Sequence, residues 1–312
     1  MGVLFVFLDG VGLGPAHEAN PFWRCPAPRL SRLLGGPLID RSAHAGHRLL
    51  LAPLDATLDV PGLPQSATGQ TSLFTGVNAA ALLGGHLSAY PSERLRRVIA
   101  AHSVLRRATE AGWRATFANG YSAEYWARAQ DGSQRHSAST LTNLAAGLPF
   151  RDLADVRQGR ALFWDLTHQF VAQWVPEAPQ WSAGQAAEVL LGLAADYDLV
   201  MYESFLTDLV GHRRLPLSDA DTVALLDEFL GCLAQGLGPS DTLVVTSDHG
   251  NFEDDRRKTH TLQPVPLLAV GAATDPFVGC ASILDVSGTL LRAVALTRGQ
   301  TEPCPCGEVA SE

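Results

Sequence analysis

At 312 residues the chain can form two average domains or one large α/β domain, and 46% apolar against 18% charged residues is enough for a sizeable core. Its net charge of −9 argues against non-specific binding to nucleic acid or to an anionic membrane, since both need a cationic face. Lys258 is the lone lysine among 23 basic residues and sits in no glycine-rich loop, so a P-loop or Schiff-base mechanism would rest on that one residue.

The opening "MGVLFVFLDG" has a short apolar run, lacks a basic flank and ends in Asp9; it predicts a buried strand over 3–8 and not a secretory leader. In "GLPQSATGQTSLFTG" (62–76), Gly69 permits a close approach, and Thr71 is expected near the start of a short helix. A helix is predicted over 92–111 and a strand over 114–118, "RATFA". Residues 120–181 are richer in Ser, Gln, Arg and Trp, break the rhythm, and read as a small insertion over the sheet. The alternation resumes with a helix over 183–195, where Ser182 and Gln185 make a capping box. A strand over 198–205, "DLVMYESF", precedes a helix from about 219 to 235. That helix has Ser218 as N-cap, Val223, Leu226, Leu230 and Leu233 on one face, and Gly236 as stop signal. Strands over 242–247 and 266–271 and a helix opening at Asp285 complete the pattern, and residues 299–312 read as a polar tail.

Strands alternating with helices imply an α/β fold, a mostly parallel sheet with helices on both faces. The expected organisation is a single domain over 1–298 with a small cap insertion at about 120–181. No segment is long enough to span a bilayer. Five cysteines at 25, 232, 280, 304 and 306 are odd in number and lack paired zinc spacing, which suggests reduced thiols in a cytoplasmic protein. The Cys304-Pro-Cys306 pair either grips a metal or is incidental to the tail.

Polar residues recur just past the predicted strand ends: Asp9, Asn119, Asp208 and the pair Asp248-His249. Open parallel sheets bind ligands outside the carboxyl edge of their strands, so these residues should converge there. A carboxylate beside an imidazole at the end of a buried strand is costly to desolvate. It calls for a hydrogen-bonded pair, a catalytic dyad or a metal ion. In "DLVGH", Asp208 and His212 are four apart, so on a helical turn they can hold one cation or simply touch at the surface. His260, in "KTHTLQPVP", is by itself equally consistent with a surface residue. The Thr71 hydroxyl is a poor nucleophile unless a metal lowers its pKa; the alternative is that its loop merely caps a helix.

The ordered set "FLDGVGLG", "GLP…TGQTSLFTG", "DLVGH", "TSDHGNFED" and "HTLQPVP" resembles the alkaline phosphatase superfamily, in its cofactor-independent phosphoglycerate mutase and phosphopentomutase branch. The resemblance implies a two-metal enzyme. Asp208, His212 and His260 would hold one ion; Asp9, Thr71, Asp248 and His249 would hold the other, with Thr71 as nucleophile. The donor set suits Zn²⁺ or Mn²⁺. Transfer would proceed through a phosphothreonine on a small phosphorylated substrate, without nucleic acid or membrane as partner. Asn119, His86, Tyr121, Arg135 and His136 are candidate substrate contacts, each with a loop hydrogen bond or solvated charge as the alternative. Oligomeric state is not legible.

Two departures shape the expected reaction. Mutases of the branch carry a serine in "GNS", where this chain has "GQT"; threonine nucleophiles occur in the phosphopentomutases and phosphodiesterases of the superfamily. The mutases also enclose their substrate under a substantial cap, whereas only about 60 residues remain for one here, short of the ~100 of a typical domain. A poorly enclosed phosphoenzyme meets water, which favours hydrolysis of a small phosphate mono- or diester. The alternatives are a phosphomutase acting on phosphoglycerate or a pentose phosphate, with Arg128, Arg135, Arg151, Arg157 and Arg160 gripping the anion, and a metal-binding protein without turnover.

Overall fold

Strands β1 (Val3–Leu8), β2 (His44–Gly46), β3 (Leu49–Leu54), β4 (Ala115–Phe117), β5 (Leu199–Ser204), β6 (Thr242–Thr246) and β7 (Val265–Gly271) form one sheet in the order β2-β3-β7-β6-β1-β5-β4. This is the arrangement in a computed structural model that describes residues 2–40, 44–46 and 48–300. β1 pairs in parallel with β5 and β6, and β4 in parallel with β5. β7 runs against both β6 and β3, and β2 against β3, so β1, β3, β4, β5 and β6 all point one way.

The sheet is therefore mostly parallel, with one antiparallel flank that the sequence reading missed. Pro53 is the reason β3 went unseen, because a proline within an apolar run argues against a strand. Here it stands opposite Pro266, so two residues without an N–H face each other. The helix predicted over 92–111 is two helices, Glu93–His102 and Val104–Glu110. Ser103 between them has extended backbone and caps the second with its hydroxyl. The capping box of Ser182 and Gln185 is present at the start of the helix Ala183–Asp196, and Ser218 caps the helix Asp219–Gly236.

Every residue of β1 is buried, as befits a central strand covered on both faces. Alternation sends Leu4, Val6 and Leu8 to one face, against Leu190 and Leu193 of one helix and Val223, Leu226 and Leu230 of the next. Val3, Phe5 and Phe7 go to the other face, with Phe74, Phe117 and Leu290. Each such side chain contributes roughly 1.5–3 kcal/mol on burial. Phe74 has a further effect. It packs edge-on against Phe7 at 5.2 Å and seats the helix Ser66–Thr75 on the sheet, beside the strand that ends in Asp9.

The stretch 120–181 holds the helices Ala123–Gln130, Ala138–Ala145 and Leu153–Arg157 and a 3₁₀ turn at Val171–Gln173. Ala138 is part of the main core, while Val156, Ala161, Phe163, Val171, Val175 and Ala178 form a small cluster of their own. No described helix is long and apolar enough to cross a membrane. Cys25, Cys232 and Cys280 are free thiols; Cys304 and Cys306 lie outside the described residues.

Candidate metal centre

The carboxyl edge of the parallel strands collects the predicted residues. Asp9 follows β1, and Gly10 after it has φ +74°; a Cβ there would stand 2.8 Å from the Asp208 side chain. Beyond β5 a short helix, Leu206–Gly211, carries Asp208, and His212 follows as its C-cap residue. Asp248 and His249 follow β6. A bridge from Gly250 to Thr261 draws the loop carrying His260 against them.

Tautomers can be assigned from the carbonyl partners. His212 Nδ1 lies 2.7 Å from Lys258 O, and His260 Nδ1 lies 2.7 Å from Pro64 O. A carbonyl only accepts, so each Nδ1 carries a hydrogen and, in the neutral ring, each Nε2 presents a lone pair. These two Nε2 atoms stand 3.2 Å apart, with Asp208 Oδ1 at 3.3 Å from one and 3.6 Å from the other. Three electron-rich atoms thus face one point, and each ring's other nitrogen is fixed by a carbonyl, as metal-ligating histidines commonly are.

A second cluster adjoins the first. His249 Nε2 is 3.4 Å from Asp9 Oδ1 and 3.4 Å from Asp248 Oδ2, and its ring stacks on that of His260 with centroids 3.6 Å apart. Asp248 and His249 are wholly buried. Asp9 Oδ1, both Asp248 carboxylate oxygens and His249 Nδ1 are buried without a hydrogen-bond partner, a costly state for polar atoms unless a cation satisfies them. Donor atoms of Asp9, Asp248 and His249, and those of Asp208, His249 and His260, lie within 4.8 Å of one another in each group. The residues present therefore fit a pair of divalent ions.

The electrostatics agree. Burial, then the neighbouring Asp248, pushes the Asp9 carboxyl far above the usual carboxylate range. Burial, then Asp208, pushes Asp248 up to about 7. Burial pulls His249 down to about 3 and His260 down as well, so both rings are neutral ligand-type imidazoles at pH 7. Burial also opposes charge on Asp208, but the contact with His212, the His249 ring and the Asn251 amide together outweigh it and hold that carboxyl below its ordinary value. The nearby Asp208 carboxylate in turn raises His212.

Known proteins point the same way. Residues 175–297 match the family model described as the Metalloenzyme superfamily. A 2,3-bisphosphoglycerate-independent phosphoglycerate mutase of Desulforudis audaxviator is 30% identical over 128 residues, 38% of this chain and 25% of that protein. A phosphopentomutase of Symbiobacterium thermophilum is 28% identical over 153 residues, 48% of this chain and 36% of that protein. The chain thus spans only about a quarter to a third of the length of these relatives. In fold it is similar to a cold-active alkaline phosphatase from Shewanella sp. (TM-score 0.57, 14% identity, 95% of this chain and 100% of that one). It is similar also to a phosphoglycerate mutase of Leishmania mexicana (TM-score 0.56, 11% identity, 94% and 95%). The family match is thus confined to residues 175–297, and the fold of the whole is alkaline phosphatase-like.

Within this fold the position of Thr71 requires a correction. The helix runs from Ser66 to Thr75, so Thr71 is its sixth residue and not near its start. It is completely buried, and its hydroxyl donates to Ala67 O at 2.6 Å, one turn back. Ser66 occupies the first helical position instead. Its Oγ is 3.1 Å from His249 Nε2, and it lines a cavity of about 700 Å³ together with Asp9, Asp208, His212 and His260. The expected close approach at Gly69 is present: a Cβ there would lie 2.9 Å from Asp248 O, so the glycine lets the helix rest against the β6 loop. Gln70, one residue on, donates to Asp9 Oδ2 at 3.1 Å.

The candidate substrate contacts divide. Tyr121 and Arg135 line the cavity. Asn119 lines it too, but its amide is engaged in both directions with the Glu203 backbone, at 2.8 and 2.9 Å, so it holds β5 in place. His86 is not among the lining residues; its Nε2 meets Val60 O at 3.1 Å, the loop hydrogen bond that was the alternative. His136 is likewise set aside, with Nδ1 against the Tyr125 hydroxyl at 2.9 Å.

Sequence reading missed Glu203. It ends β5 at the carboxyl edge, lines the cavity and is 1% exposed, accepting from the Ser139 hydroxyl while its Oε1 has no partner. Burial raises its pKa to about 8. The rule that singles out Asp9 and Asp248 applies equally to this residue, but "YES" lies inside the predicted strand 198–205 and so gives no strand-end signal. Glu253 was also missed. Its carboxylate accepts from Gly12 N, Asn251 N and the Thr261 hydroxyl, tying three of the motifs together.

Proposed function

We propose that this protein hydrolyses phosphate esters at a two-cation centre, with Ser66 as the phosphoryl acceptor. One observation carries the reading. A hydroxyl at a helix N-terminus faces a cavity beside two clusters of electron-rich atoms, one of which holds buried Asp9 and Asp248 oxygens without hydrogen-bond partners. A structural ion would not need that hydroxyl. Asp208, His212 and His260 would hold one ion, and Asp9, Asp248, His249 and Ser66 the other; Zn²⁺ and Mn²⁺ both suit the set. When bound, such ions neutralise phosphoryl oxygens and lower the pKa of a coordinated hydroxyl.

The chain's own groups supply the rest. Among the first-turn amides of the helix Ser66–Thr75, Thr68 N is taken by Leu87 O at 3.3 Å, which leaves those of Ser66 and Ala67 to favour an anion at that end. Ser66 Oγ forms a bond to phosphorus as the ester P–O bond breaks, and the alcohol departs with a proton. Water then cleaves the phosphoserine and releases inorganic phosphate. Gln70 holds Asp9 in place, and Asn251 Nδ2 holds Asp208 at 2.8 Å. Arg128 and Arg135 line the cavity and suit an anionic substrate. The small cap leaves the acceptor open to water, which favours hydrolysis. The free thiols fit a reducing, cytoplasmic setting.

The test is turnover of 4-nitrophenyl phosphate and bis(4-nitrophenyl) phosphate by protein loaded with Zn²⁺ or Mn²⁺. Phosphate or nitrophenol release that disappears in Ser66→Ala is expected. No release from either ester, or full activity in Ser66→Ala, defeats the proposal. The names of the relatives favour one second reading, a phosphomutase. Phosphoryl migration on phosphoglycerate or a pentose phosphate, without net phosphate release, would establish it in place of hydrolysis.

A further inference from the structure

The cavity next to the metal centre is larger than a three-carbon acid needs. Its volume of about 700 Å³ is in the range that encloses a drug-sized ligand. Beyond the acidic and histidine end, much of its wall is aromatic: Tyr90, Tyr121, Trp164, Trp174 and Phe205 all line it. Two of these have aromatic neighbours. Tyr121 is packed at 4.7 Å from the Tyr125 ring with its hydroxyl bonded to Thr140 at 2.7 Å, and Trp164 lies 6.5 Å from Phe205.

Trp174 is different. It is 55% exposed although it lines the cavity, and its neighbours Val171 and Val175 are anchored in the cap's own apolar cluster. A large indole held partly in water by buried neighbours keeps apolar surface available to a ligand. Arg135, which also lines the cavity, stands with its guanidinium 4.4 Å from the centre of the Tyr90 ring.

We infer that the substrate is a phosphate ester whose alcohol portion carries a planar aromatic ring, a nucleobase or an aryl group, stacked on Trp174 or Trp164 while the phosphate lies at Ser66. This rests on the proposed phosphoryl transfer for the placement of the phosphate, but the aromatic wall can be tested without turnover. Stacking on an aromatic side chain changes affinity by about 5- to 150-fold when that side chain is removed.

The experiment measures equilibrium binding to metal-loaded Ser66→Ala by calorimetry, with AMP, phenyl phosphate and glycerol 3-phosphate as probes. AMP, phenyl phosphate or both should bind at least about tenfold tighter than glycerol 3-phosphate. Adding Trp174→Ala or Trp164→Leu should cut that preference about fivefold or more and leave glycerol 3-phosphate unchanged. The exposed Trp174 can be truncated without opening the core, so the comparison stays readable if the Trp164 variant is unstable. Preference for AMP over phenyl phosphate assigns a nucleobase, and the reverse order assigns an aryl group. Equal affinity for all three probes, or equal weakening of all three by the tryptophan variants, overturns the inference. Tight, tryptophan-dependent binding in a protein that turns over no ester would leave the inference standing and remove the proposed reaction.

Discussion

Replacing Ser66 and Thr71 separately distinguishes the two hydroxyls more sharply than any other perturbation. Ser66 Oγ sits 3.1 Å from His249 Nε2 on the cavity wall, whereas the Thr71 hydroxyl is fully buried and bonded to Ala67 O at 2.6 Å. Ser66→Ala removes the group that forms the bond to phosphorus. The expected loss in kcat/KM is on the order of 10⁴-fold or more, about 5.5 kcal/mol of transition-state stabilisation. Thr71→Val keeps the buried volume and deletes one hydrogen bond worth roughly 0.5–1.5 kcal/mol in stability, and the Ala67 carbonyl keeps its helical partner. Its kcat/KM should therefore stay within about threefold of wild type. The assay is phosphate release from an aryl ester, joined to peptide mapping of acid-quenched enzyme for a phosphoryl adduct. An adduct on Thr71, or a Thr71→Val variant that is dead while Ser66→Ala still turns over, would refute the assignment.

Further predictions concern the charges around the site. Returning Zn²⁺ or Mn²⁺ to chelated protein should raise stability by about 2.7 kcal/mol at a hundredfold excess over Kd. At pH 6 it should also release protons, because Asp248, near 7, and Asp9, higher than an ordinary carboxyl, must ionise to bind; calorimetry in buffers of different ionisation enthalpy would reveal a lack of release. Glu203 titrates near 8 when folded and near 4.5 otherwise, so the native state binds the extra proton between those values and wild-type stability falls as pH rises through that window. Glu203→Gln has no proton to lose there; its advantage in urea unfolding of metal-free protein should grow by about 4 kcal/mol from pH 5 to pH 9. An advantage that does not change with pH would dispose of this account. Glu253→Ala leaves Gly12 N and Asn251 N without their acceptor and should cost about 2–4 kcal/mol, whereas Glu253→Gln should retain part of it; equal Tm for all three proteins would count against the clasp.

Several features were legible because they depend on neighbours in the chain. Apolar runs ending in an acid or amide marked the central strands and the edge where Asp9, Asp208, Asp248 and His249 meet. Ser182 with Gln185, and Ser218, marked helix starts for the same local reason: a side chain closes on an amide three residues away. The helix Ser66–Thr75 was harder. Ser66, Thr68, Thr71 and Ser72 all offer a hydroxyl, and local chemistry does not rank them.

What this sequence determined unaided was therefore the parallel core, the edge that gathers the acids and histidines, and the type of chemistry that donor set supports. Only the tertiary structure decided which hydroxyl faces them, that β3 and β7 pair antiparallel with Pro53 opposite Pro266, and that Glu203 is a buried acid in the cavity. Helix register here depends on Phe74 docking against Phe5 and Phe7 and on Gly69 resting against Asp248. Those partners are far away in the chain, and contacts between distant segments leave no periodicity in either one.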